Sequence, residues 1–138
     1  MKKFNLIRGK IEDEPCSSLP FARLRLARVG EEIAKEYLKN KGYKILEQNA
    51  RSRFSEIDLI VKKNNQLILV EVRTKKGENF GSPEESLNKK KLKKLWFNAQ
   101  LYIAKNHWQG AFRIDAVCVV LRLDNSIERV NHYENIIS

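Results

Sequence analysis

Two acids set in apolar strands carry the clearest chemical potential. Asp58 sits in Ile57-Asp58-Leu59-Ile60-Val61, and Glu71 in Leu67-Ile68-Leu69-Val70-Glu71-Val72. Acids in such runs cost burial free energy unless they are paired or put to use. Asn64-Asn65 lies between the two runs and is a two-residue hairpin signal, because Asn tolerates positive φ. With that loop, Lys63 faces Gln66, and counting outward sets Asp58 opposite Glu71 and Glu56 opposite Arg73. Asp58–Glu71 is then a non-hydrogen-bonded pair, with Cα atoms about 4.5 Å apart and both side chains on one face. Facing carboxylates are unfavourable in a bare sheet. A divalent cation reverses that sign. Mg²⁺ takes hard oxygens, often one or two carboxylates with water and phosphate oxygens, and the Val70 carbonyl could join them. The competing reading is a hydrated or lysine-paired couple of acids.

Arg73 follows Glu71 by two residues and shares its face. A cation there could hold a phosphate or steady charge in a transition state; the rival is a cross-strand salt bridge to Glu56. Its pKa is too high for a general base. On a helical wheel Glu31 lies at the margin of a face made by Leu24, Ala27 and Leu38, so it could lean towards a sheet. Glu32 falls with Glu36 and Lys39 on the solvated side.

The elements that position these residues follow from periodicity and turn chemistry. Residues 1–18 read as an irregular arm, with Glu12-Asp13-Glu14-Pro15-Cys16-Ser17-Ser18 showing no apolar period. A helical pattern runs from Leu19 to Lys41, with Leu24, Ala27, Ala34, Tyr37 and Leu38 inward, Gly42 as its stop and Gly30 as a candidate kink. Strands are expected over Tyr43 to Asn49, Glu56 to Lys63 and Gln66 to Thr74. A loop spans Lys75 to Gly81. Ser82-Pro83-Glu84-Glu85 carries a capping-box pattern and opens a helix to about Lys105, with Leu92, Leu95, Trp96, Ala99, Tyr102 and Ile103 inward. Strands over Phe112 to Leu121 and Ile127 to Tyr133 close an α-β-β-β-α-β-β order, one α/β domain with a mixed sheet over residues 19–138.

The chain has 138 residues and a formal charge of +10, from 27 Lys plus Arg against 17 Asp plus Glu. That length suits one domain with a real core. A balance this basic attracts polyanions, nucleic acid first and anionic membrane second. Lys89, Lys90, Lys91, Lys93 and Lys94 crowd the early second helix, while Arg51, Arg53, Lys75 and Lys76 flank the acidic strands. Phosphate contacts from such groups give salt-dependent, largely sequence-independent binding. Trp96 and Trp108 could stack bases, although Trp96 also fits the core. No apolar run spans a bilayer, and Met1-Lys2-Lys3-Phe4-Asn5-Leu6-Ile7 imitates a signal peptide too briefly, so a cytoplasmic location without membrane attachment is expected. Cys16 and Cys118 suggest no disulfide framework, and with His107 and His132 they lack zinc spacing.

Four motifs together carry a family resemblance: Gly30-Glu31-Glu32, Glu56-Ile57-Asp58-Leu59-Ile60, Val70-Glu71-Val72-Arg73-Thr74 and Phe80-Gly81-Ser82-Pro83-Glu84-Glu85. From about residue 23 onward the chain resembles the YraN-like uncharacterised protein family. That family is similar to archaeal Holliday-junction resolvases and belongs by fold to the PD-(D/E)XK nuclease superfamily. The resemblance implies a restriction-endonuclease-like αβββαβ core, with its mixed sheet flanked by helices. It implies Glu31, Asp58 and Glu71 as acids of an Mg²⁺ or Mn²⁺ site, with Arg73 where the superfamily usually has Lys. Lys91 matches a basic family position and Asp115 an acidic one. Phe54-Ser55 stands where glycines usually precede Glu-Ile-Asp. Resolvase-like enzymes are often homodimers, but no self-complementary patch is readable in this chain. The expected activity is a Mg²⁺-dependent, resolvase-like endonuclease acting on DNA phosphodiesters. The alternatives are a non-catalytic nucleic-acid-binding module with that fold, and an interaction domain for an acidic partner.

Overall fold

The computed structural model describes residues 19–53 and 56–137. The expected arm over 1–18, with Cys16, and the Phe54-Ser55 departure lie outside the described residues. Helix α1 (Leu19–Asn40) precedes three antiparallel strands, β1 (Lys44–Arg51), β2 (Glu56–Lys63) and β3 (Gln66–Lys76). A short 3₁₀ turn (Pro83–Ser86) and helix α2 (Lys89–Lys105) lead to β4 (Phe112–Leu121) and β5 (Ile127–Tyr133). The strands form one sheet in chain order, with β3 and β4 parallel and the other neighbours antiparallel. The α/β architecture, a mixed five-stranded sheet with helices, is consistent with a restriction-endonuclease-like core.

Each turn is set by its residue type. Asn64 and Asn65 both take positive φ, at +51° and +62°, and Lys63 pairs with Gln66 as counted from the sequence. Gly42, at φ +90°, ends α1. The Gly42 N–H donates to the Lys39 carbonyl and the Tyr43 N–H to that of Leu38, the paired bonds that close a helix on a left-handed glycine.

The sheet separates two apolar layers. On one side α1 supplies Val29, Ile33, Ala34 and Leu38 against Leu59, Ile68, Val70, Val72, Val117 and Val119. On the other α2 supplies Leu95 and Ala99 against Ile57, Ile60, Leu67, Leu69 and Ile114. Covered on both faces, β4 is buried from Ile114 to Leu121, which accounts for its unbroken apolar run.

Several expectations need correction. The fully buried side of α1 begins at Val29; Leu24 is 48% exposed and Ala27 is exposed as well, while Leu26 is the residue of that stretch that packs on the core. Gly30 does not interrupt α1, which is continuous from Leu19 to Asn40. A Cβ there would overlap Thr74 Oγ1 and lie 2.8 Å from the Thr74 Cβ, so this glycine lets the helix backbone close directly on the Thr74 side chain of β3. The expected helix from Ser82 is two elements. Ser82 makes no side-chain cap, Leu87 leaves helical geometry at φ −89°, ψ 57°, and Asn88 caps α2 by accepting from the Lys91 N–H. Lys75 and Lys76 belong to β3 rather than to a loop. Trp96 is 45% exposed and stacks on Phe112, because it sits past the rim of the inward stripe.

Candidate metal and nucleic-acid site

The β2–β3 ladder runs from Lys63–Gln66 to Leu59–Val70 and stops one residue short of Asp58. There the Val72 N–H donates to Asp58 Oδ2 at 2.8 Å. A side chain has taken over a backbone acceptor's place where β2 parts from β3, which brings the carboxyl into the gap between strands. β1 is distorted beside it: Gln48 pairs with Leu59 and Ala50 with Ile57, while the intervening Asn49 is left-handed at φ +52°.

Asp58 and Glu71 are brought together, close enough for a hydrogen bond between their carboxyl groups. Burial, the charge of Glu71 and the charge of Glu31 push the Asp58 carboxyl up to about 8, against the opposing pull of the Val72 N–H. Glu71 is 6% exposed. Its Oε2 receives Lys91 Nζ at 2.9 Å and Arg73 Nη1 at 3.5 Å.

Glu31 follows the glycine contact on α1 and leans in as expected. Burial raises its carboxyl, the Asn49 side-chain hydrogen bond works downward, and the charges of Glu56 and Glu71 raise it further. Its proximity to the cluster is thus electrostatic, since among the described residues no three His, Cys, Asp or Glu side chains form a metal-holding group. Glu32, expected on the solvated side, is partly buried and pairs with Lys35 at 3.0 Å, which also reaches Gln48.

Arg73 does not bridge to Glu56, which instead faces Arg51 at 3.5 Å. Its Nε donates to Ser86 Oγ at 2.7 Å, and Ser86 donates in turn to the Pro83 carbonyl at 2.6 Å. The 3₁₀ turn thereby fixes the guanidinium beside Glu71. Of the five helix lysines, Lys91 turns into the site, while Lys89, Lys90, Lys93 and Lys94 are exposed on the outer side of the same helix end. Arg51, Arg53 and Lys76 are exposed and Lys75 is half-buried. The register sets the end of β1 and the start of β2 beside the end of β3, so these cations share one end of the sheet.

The sequence profile of the uncharacterised protein family UPF0102 matches residues 30–119. The chain belongs to that family. UPF0102 proteins similar to it include one from Persephonella marina, 47% identical over 66% of this chain and 79% of the relative. Another, from Clostridium botulinum strain 657, is 46% identical over 70% of this chain and 80% of the relative. A third, from Caldanaerobacter subterraneus, is 44% identical over 78% and 89%. The UPF0102 match begins at Gly30, where α1 crosses Thr74, and therefore includes Glu31, Asp58, Glu71, Arg73 and Lys91.

Two site residues of this UPF0102 chain, Asn49 and Ser86, escape a reading of the sequence. Asn49 carries a weak signal, since Asn tolerates left-handed backbone, but nothing marks a distortion there. Ser86 carries none. Lys91 is visible both in the lysine run and through the family resemblance, but its pairing with Glu71 is not.

Asp115 lies elsewhere, on the layer covered by α1. It is fully buried and accepts from Arg113 Nε at 2.9 Å, Arg113 Nη2 at 3.1 Å and the Asn135 N–H at 2.9 Å. His132 Nε2 is 2.8 Å away. Burial works to raise its carboxyl, but these hydrogen bonds prevail and hold it below the usual carboxylate range. Cys118 is a buried free thiol pushed up to about 12, mainly by burial. Trp108 donates through Nε1 to the Ala111 carbonyl at 3.0 Å and has Lys62 over its ring. No helix among the described residues is long and apolar enough to cross a membrane.

Proposed function

We propose that this protein is a cytoplasmic, Mg²⁺- or Mn²⁺-dependent endonuclease, resolvase-like in character, that hydrolyses DNA phosphodiesters. The observation that carries the reading is the contact between Asp58 and Glu71 at the point where β2 parts from β3. The protein holds the half-buried Asp58 carboxyl against the buried Glu71 carboxyl at an evident electrostatic cost, and the donor set is hard oxygen throughout. That set fits Mg²⁺, which needs few protein ligands and takes the rest from water and phosphate. Asp58 and Glu71 would hold the ion, with Glu31 adding negative charge from α1. When bound, the ion supplies Lewis acidity and lowers the pKa of water. Arg73, steadied by Ser86, and Lys91 keep positive charge beside the acids, available to a phosphate as its charge grows. The exposed lysines of α2, with Arg51, Arg53, Lys75 and Lys76, contribute sequence-independent attraction to the backbone.

A second reading is a binding module without catalysis. It is favoured by Lys91, which already neutralises Glu71, and by the lack of a three-ligand cluster among the described residues. Cleavage assays on branched, single-stranded and duplex DNA with Mg²⁺, Mn²⁺ or chelator decide between them. Metal-dependent products that vanish in Asp58→Asn and Glu71→Gln support the enzyme. Salt-sensitive binding without products under any metal supports the module.

A further inference from the structure

Phe80 is 99% exposed, although it sits in a loop held on both sides. Glu78, two residues before it, accepts from Arg129 Nη2 at 2.6 Å. Glu84, four residues after it, accepts from Arg129 Nη1 at 2.6 Å and Nη2 at 2.9 Å, and from the Tyr133 hydroxyl at 2.8 Å. One guanidinium on β5 therefore clamps both shoulders. The tip is equally defined: the Gly77 N–H donates to the Leu121 carbonyl at 2.8 Å, and the Gly81 N–H to the Glu78 carbonyl at 3.2 Å. Gly81 takes φ +107°, and a Cβ there would run into the Glu85 carboxylate.

A free apolar side chain in a basic, soluble surface would gain by folding back onto its neighbours. The clamp instead holds the backbone so that the ring stands in solvent. The loop also joins the two parts that hold Arg73, namely β3, which carries it, and the 3₁₀ turn, whose Ser86 receives its Nε. Lys75 and Lys76 lead directly into it.

We infer that Phe80, on the loop that joins β3 to the 3₁₀ turn holding Arg73, is a base-stacking residue, which selects nucleic acid with unpaired bases. This rests on the nucleic-acid reading above and sharpens it. Phosphate contacts from lysine and arginine attract any strand and confer no preference for structure. An exposed ring offers a π-face to any unstacked base, and none to a base kept inside a duplex. Phe80 would then discriminate gapped or branched DNA from intact duplex without touching the chemistry.

The test compares the full chain with Phe80→Ala and Phe80→Trp in chelator, so that binding is read without cleavage. The probes are a gapped duplex and a fully paired duplex of equal length, titrated over several salt concentrations. Phe80→Ala should bind the gapped probe roughly five- to a hundredfold more weakly, bind the paired duplex like the parent, and keep the parent's slope of log K against log salt. Phe80→Trp should restore the preference. The melting midpoint should not move, since the ring covers nothing. Equal affinity of parent and Phe80→Ala for the gapped probe overturns the inference, as does equal loss on both probes or a lowered midpoint. Loss of binding to anionic vesicles with unchanged DNA binding overturns it in favour of a membrane contact. A parent that binds neither DNA overturns this inference and the nucleic-acid reading together, whereas a failure confined to the variant leaves that reading standing.

Discussion

Two acid clusters set into one sheet have contrary surroundings, Asp115 fully buried and Asp58 half-buried against the buried Glu71. Asp115 is surrounded by donors: two from Arg113, one from Asn135 and the ring nitrogen of His132. Its carboxyl is held low. Asp58 has a single backbone donor and two neighbouring acids, and its carboxyl is held high. Satisfied buried charge is what a fold needs from an acid. Glu71 beside it already has Lys91 and Arg73, so Asp58 is the carboxyl left with too few donors among crowded acids, as at a site awaiting a cation. Asp115 is therefore a structural acid, and the pair at Asp58 is the functional candidate.

The largest expected effect comes from breaking the satisfied cluster. Asp115→Ala leaves Arg113 partly buried without its main partner and should cost about 3–5 kcal/mol, read as a lower urea midpoint. Loss of under 1 kcal/mol there would erase the contrast. Next, a divalent cation should stabilise the parent by roughly 2.7 kcal/mol at a hundredfold excess over Kd. Asp58→Asn should lose most of that gain, yet in chelator it should melt no earlier than the parent, because it relieves repulsion. A mutant that melts earlier in chelator would make Asp58 structural.

The pH responses should be opposite as well. Asp58 has a folded pKa above its unfolded one, so its contribution to metal-free stability is complete below about pH 4 and lost as pH rises through about 8. Asp115 is shifted down, so its contribution is present above the unfolded pKa and lost as pH falls through the folded one. Unfolding curves of parent and Asp58→Asn between pH 4 and 9 isolate the first. The smallest effect concerns the footprint. Replacing Lys89, Lys90, Lys93 and Lys94 should flatten the salt dependence of DNA affinity by about 0.9 for each phosphate no longer neutralised, while Asp58→Asn binds as the parent does. Filter binding at several salt concentrations measures both.

What could be read in advance depended on whether local chemistry decided the outcome. The hairpin register was readable because Asn64 and Asn65 both accept positive φ, and that register brought Asp58 to Glu71. The parting of β2 from β3 was not, since it arises where a carboxylate competes with a backbone carbonyl for the Val72 N–H. The start of α2 is not legible because Ser82-Pro83-Glu84-Glu85 has every feature of a helix opening. Asn88 provides the working cap, and Ser86 is engaged by Arg73. The exposure of Leu24 and Ala27 is not legible on a wheel, which shows which residues align and not which of them, here Leu26, reach the core. The role of Gly30 depended on Thr74, distant in sequence and near only in space.

The bond from the Val72 amide to Asp58 gives the protein a spectroscopic reporter at its centre. An amide proton donating to a carboxylate resonates differently once that carboxylate takes up a proton or turns to another partner. In a ¹H–¹⁵N spectrum the Val72 cross-peak should move with pH along the titration of Asp58, and move again when divalent cation is added. One backbone signal thus follows the state of the site without substrate or turnover.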